Sequence, residues 1–108
     1  MPSRLELRLG GPTQLGTTTG AVVTVPAGRA YIVKQIVVCN TDTVDRLFSL
    51  AVGSAATSAN RLFSNMPIGA NDTLVFDTAI VLAAGETLQG LSDTGSRVTV
   101  TVTGWDRF

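Results

Sequence analysis

Along most of the chain apolar and polar residues alternate with a period of two, the spacing that sends successive side chains to opposite faces of a β-strand. Near the N-terminus Leu5, Leu7 and Leu9 fall on one face and Arg4, Glu6 and Arg8 on the other. The C-terminal run RVTVTVTGW sets Val98, Val100 and Val102 against Thr99, Thr101 and Thr103. Both patterns predict half-buried strands. The central run YIVKQIVVCN is apolar on both faces, with Ile32, Ile36 and Val38 on one and Tyr31, Val33, Val37 and Cys39 on the other. Lys34 and Gln35 interrupt it, one on each face. Such a strand lies between two packed layers or lends one face to a subunit contact. Further strands are predicted at 21–25, 47–52, 61–65, 73–77, 80–82 and 87–91, separated by clusters of Gly, Asn, Asp and Ser. SLAVGSAATSAN is cut by Gly53 and reads as a loop.

About eight short strands with regular turns and no amphipathic helix predict an all-β, antiparallel, jelly-roll-like sandwich. Residues 1–12 read as an N-terminal arm or edge strand and 13–108 as one sandwich domain. Three turns share a pattern: VPAGRAY, IGANDTL and LAAGETL place Gly28, Asn71 and Gly85 at the same point. Gly and Asn tolerate the left-handed backbone that tight turns demand.

Composition narrows the function. The 108 residues carry eight basic and eight acidic side chains, and only 15% are charged. A neutral surface lacks the positive field that holds nucleic acid or anionic lipid, so neither is an expected partner. Near-zero charge does little to keep copies apart, which favours self-association. No apolar run approaches the roughly 20 residues of a membrane-spanning helix. The N-terminus has no apolar signal block, so a soluble protein made in the cytoplasm is expected.

Candidate chemistry is thin. Asp93-Thr94-Gly95 is the triplet that carries the catalytic aspartate of aspartic proteases, but thirteen residues follow it. They cannot supply the flap and bracing segment such an enzyme needs, so the segment 92–96, with Gly95, reads as a turn between strands. With no His, Ser-His-Asp and Cys-His arrangements are excluded. The single Cys39 can form no internal disulfide and reads as a small buried residue. Tetrahedral zinc is excluded on the same count. Asp72, Asp77, Glu86 and Asp93 lie at turns or strand ends, where solvated acids sit. Asn40, Asp42 and Asp45 offer oxygen ligands but too few for calcium. No cofactor is expected. Of the aromatics, Tyr31, Phe48, Phe63 and Phe76 fall in apolar patterns and read as core, leaving Trp105 and Phe108 for exposure. An exposed terminal pair suits a subunit contact, or else a sugar platform.

From GAVVTVPAGRAYIVKQIVVCNTD onward, through FSLAVG, RLFSNMPIGANDTLVFDTAIVLAAGETLQGL and VTVTVTGWD, the chain resembles small virion structural proteins of tailed bacteriophages. The resemblance covers roughly residues 13 to 105 and rests on turn and strand signatures. It departs from the pattern in the arm SRLELRLGG and the tail WDRF. It implies a non-enzymatic sandwich present in many copies on a virion: a capsid decoration protein, often trimeric, bound to the major capsid protein or other virion proteins. A tail or baseplate accessory subunit of the same fold is the alternative, and a host-directed carbohydrate-binding module a third. Leu5, Leu7 and Leu9 are the first candidates for subunit contact, Trp105 and Phe108 the second.

Overall fold

The computed structural model describes residues 4–53 and 60–107. Eight strands follow in order: β1 (Arg4–Gln14), β2 (Gly20–Thr24), β3 (Ala30–Asn40), β4 (Arg46–Val52), β5 (Arg61–Ile68), β6 (Thr73–Leu82), β7 (Thr87–Ser92) and β8 (Val98–Arg107). There is no helix among the described residues. β1 pairs with β8, β2 with β7, β3 with β6 and β4 with β5, all antiparallel. The chain is therefore one long two-stranded ribbon. Pairing of β3 with β8 and β4 with β7 rolls that ribbon into two four-stranded sheets, β1-β8-β3-β6 and β2-β7-β4-β5. This is the jelly-roll arrangement, an all-β antiparallel sandwich.

The alternation seen in the sequence fills the space between the sheets. Val98, Val100 and Val102 of β8 meet Val33, Ile36 and Val38 of β3 there, and Phe48, Leu50 and Leu88 come from the second sheet. Phe48, Phe63 and Phe76 cluster with ring centroids 4.6 to 6.5 Å apart. Fully burying one such side chain contributes about 1.5–3 kcal/mol. Tyr31 packs against the edge of the same core.

Two strand assignments differ from the sequence pattern. The segments 73–77 and 80–82 are one strand, β6. Thr78 sits between them on the inner side, and its hydroxyl donates to the Val33 carbonyl at 2.8 Å, so the polar pair does not break the strand. In β3 the faces are also assigned differently. Val33, Ile36 and Val38 all point inward, while Lys34 and Gln35 are both exposed. The periodicity slips by one residue because β3 bulges there. Cys39, half-buried rather than buried, falls on the outer face as a result.

The slip is part of a wider irregularity. The rows through Gly104 and Val102 are two residues apart in β8. The same rows run from Val33 to Ile36 in β3, from Leu7 to Gly10 in β1, and from Ile80 to Phe76 in β6. The first sheet thus gains a residue on either side of β8 and another at β6.

The corners are tied by polar side chains. Gly28, Asn71 and Gly85 have positive φ of 77°, 55° and 82° in the turns leading into β3, β6 and β7. Beyond Gly95, the connection to β8 carries its positive φ on Ser96. Asn40 is completely buried, and its amide nitrogen donates to the carbonyls of Val44, Ile68 and Gly69 at 3.0–3.2 Å. Its Oδ1 accepts from the Asp42 backbone N–H. One side chain thereby joins the end of β3 to the β5–β6 turn. Asn40→Ala removes four hydrogen bonds at once, one buried and three part-buried, so a loss of about 2–4 kcal/mol is expected in denaturant unfolding.

Candidate functional site

β1 is a full member of the first sheet, paired with β8 from Arg4↔Arg107 to Gln14↔Thr99. Leu7 lies opposite Gly104 and is half-buried, and Leu9 packs against the core, while Glu6 and Arg8 face solvent. Leu5 is opposite Asp106 in the ladder. Phe108 lies outside the described residues. Trp105 is half-buried on the outer face, beside Glu6 and Ile32, with Lys34 Nζ 5.3 Å from its ring centroid. The structure therefore sets Trp105 on one face of the sheet and Leu7 and Leu9 on the other.

Read row by row, the outer face of β8, β3 and β6 is Trp105–Ile32–Val81, Thr103–Gln35–Asp77, Thr101–Val37–Val75 and Thr99–Cys39–Thr73. One side is a threonine ladder, and the other alternates Val81 and Val75 with Asp77 and Thr73. Val81 and Val75 are 64% and 55% exposed, the two most exposed large apolar side chains among the described residues. Neither stood out in the sequence. The available signal was that β6, like β3, is apolar at both odd and even positions.

Near the bulges the same face hollows into a concavity of about 450 Å³, whose lining includes Glu6, Lys34, Gln35, Asp77, Thr103 and Trp105. It forms where β3 turns two consecutive polar residues outward. Gln35 Nε2 donates to Asp77 Oδ1 at 3.4 Å across its floor. The lining holds an ammonium, two carboxylates, an amide and one indole. It offers polar contacts and a partly covered aromatic ring.

Of the four acids singled out in the sequence, Asp77 lies not at a turn or strand end but in the middle of β6, because the two predicted segments form one strand. The other three are engaged in turns. Asp72 Oδ1 accepts from the Thr73 N–H and Glu86 Oε1 from the Ala83 N–H. Asp93 lies in the β7–β8 connection, with its backbone N–H bonded to the Leu47 carbonyl. The Asn40, Asp42 and Asp45 oxygens are likewise taken. Asp42 Oδ2 accepts from Arg46 Nε and Nη2 at 2.9 and 2.7 Å, and Asp45 Oδ1 from the Ala70 N–H. The Arg46 guanidinium, with help from the Thr43 N–H, holds the Asp42 carboxyl below its ordinary range. No group of three metal-ligating side chains occurs among the described residues. No helix in the described residues is long and apolar enough to cross a membrane.

No protein-family profile matches the chain, and no curated protein matches it in sequence. Similarity appears in three dimensions. The chain superposes over 99% of its length on a chain from the structure of infectious bursal disease virus, Gx strain, with a TM-score of 0.56 and 11% identity. It spans about a third of that chain, 32%. Two crystal structures of a pentameric capsid protein isolated from metagenomic phage sequences overlap 96% of it at 19% identity, covering 59% and 61% of their own chains. Their TM-scores are 0.38 and 0.30, too loose to add to the comparison. At these identities the virus chain and this one share a fold.

Proposed function

We propose that the chain is a non-enzymatic virion structural protein, a decoration subunit on the head surface that stabilises the particle through subunit contacts. The observation that carries this reading is the outer face of the first sheet. It combines the exposed Val75 and Val81 with a threonine ladder, on a sandwich of the jelly-roll type. Exposed aliphatic side chains on a neutral surface suit burial against another protein. The phage-like turn signatures of the sequence and the fold shared with a chain from a virus structure support the same reading. The major capsid protein, or another virion protein, is the partner, and a homo-trimer the proposed assembly.

A tail or baseplate accessory subunit would use the same fold and the same face. A sugar platform on Trp105 is less well supported, because the Lys34 ammonium already lies over the ring. Gold-labelled antibody imaging of intact particles separates the two virion locations. Label across the head is expected. Label confined to the tail or its tip would replace the decoration role with the accessory one.

A further inference from the structure

The four sheet edges are not equally defended against pairing with another chain. β1 carries two register shifts and the sequence Gly10-Gly11-Pro12. β2 is five residues long with a shift of its own. β5 has two shifts, Asn65 at φ 48°, and Pro67. These are the usual means of blunting an edge. β6 has ten residues, no Gly or Pro, a single charge at Asp77, and one shift against β3 near its centre. It also carries the exposed Val75 and Val81.

The sequence of β6 is self-complementary about Thr78. Leu74 and Leu82 lie equally far from it, as do Val75 and Val81, Phe76 and Ile80, and Asp77 and Ala79. Antiparallel pairing about a two-fold axis brings equidistant residues opposite one another, which is the requirement for an isologous contact. We infer that β6 is a homotypic contact: two copies of this chain pair β6 to β6 in antiparallel register about Thr78.

In that register each Val75 faces Val81 of the second copy on the outer face, twice by symmetry. Leu74 with Leu82 and Phe76 with Ile80 extend the inner row across the junction. Asp77 faces Ala79 rather than a second Asp77, so like charges are not directly opposed. The bulge falls at the centre, where Thr78 is already bonded to Val33, and the two flanks carry the pairing. The contact goes beyond the virion reading and does not depend on it. It is distinct from the head-to-tail contacts of a trimer and would join one trimer to the next.

The test uses the register. In a Cys39→Ala background, Val75→Cys and Val81→Cys are made separately, oxidised alone and as an equal mixture, and resolved on a non-reducing gel. The mixture is expected to give a covalent dimer well above either protein alone. Val75 of one copy lies roughly 20 Å along the strand from Val75 of the other in this register. Cross-linking in the mixture no greater than in the separate proteins would overturn the inference. Sedimentation of the unmodified chain over a concentration series gives a second reading. Association that Val75→Lys with Val81→Lys removes, with the melting transition retained, is expected. Association unaffected by the pair, or no mass above the monomer, would also overturn it. None of these outcomes bears on whether the chain is found in virions.

Discussion

Replacing Gly104 by alanine is expected to lower the melting temperature by roughly 12–24 °C, and replacement by valine to prevent folding. A Cβ built on Gly104 would lie 1.9 Å from the Ile32 carbonyl oxygen, 2.9 Å from its carbon and 3.0 Å from Leu9 Cδ1. The first two are backbone atoms of β3, held by the β3–β8 ladder, and cannot turn aside as a side-chain tip can. Relief requires separating two central strands at the row where the bulges begin. Overpacking a core commonly costs 1–3 kcal/mol, and the backbone clash places this case at about 3 or above. Total stability for such a domain is about 5–15 kcal/mol, so valine leaves little margin. Gly95→Ala is the control: a Cβ there meets nothing within 4 Å, and a change of a degree or two is expected. Thermal unfolding followed by circular dichroism decides it, and a Gly104→Ala protein melting close to the parent would contradict the packing described.

Removing residues 1–11 is expected to abolish cooperative unfolding, not simply to free a detachable arm. The deletion takes six cross-strand residue pairs from the β1–β8 ladder and removes Leu9 from its place against the core. At about 1 kcal/mol net for each lost ladder bond and about 2 kcal/mol for the leucine, the loss rivals the lower end of total stability. It also leaves β8 from Val102 to Arg107 as a sheet edge. Calorimetry on the truncated chain should show a broad transition or none. A sharp transition near the parental temperature, together with failure to join particles, would instead make these residues an arm that acts on a neighbour.

The sequence patterns that proved legible were those with a strict period. Val98, Val100 and Val102 could be assigned to the core directly, because alternation with threonine admits one reading. The bulge at Lys34 was not legible in the same way. With apolar residues on both sides of the strand, a one-residue slip leaves the pattern looking regular, and only the partner strands fix which face each residue takes. The sequence divides β6 in two for a related reason. Asp77-Thr78 has the composition of a turn, and the hydroxyl bond from Thr78 to Val33 is invisible without β3 alongside. Nothing in the alternation marks Gly104, whose meaning is that the β3 backbone at Ile32 leaves no room for a Cβ. For the contact surface, the sequence pointed to the leucines of β1, and Leu7 and Leu9 turn inward. Trp105 does lie on the outer face. Val75 and Val81 form a surface because β6 is an edge strand and, among the described residues, nothing covers its odd-numbered face.

The central claim is that this chain is a built-in component of a virus particle. Quantitative mass spectrometry of gradient-purified phage particles from a culture that expresses the chain tests that claim most directly. The account predicts the chain in many copies, at a fixed ratio to the major capsid protein through successive gradients and salt washes. Its absence from purified particles, while it is abundant in the infected-cell lysate, would contradict the account.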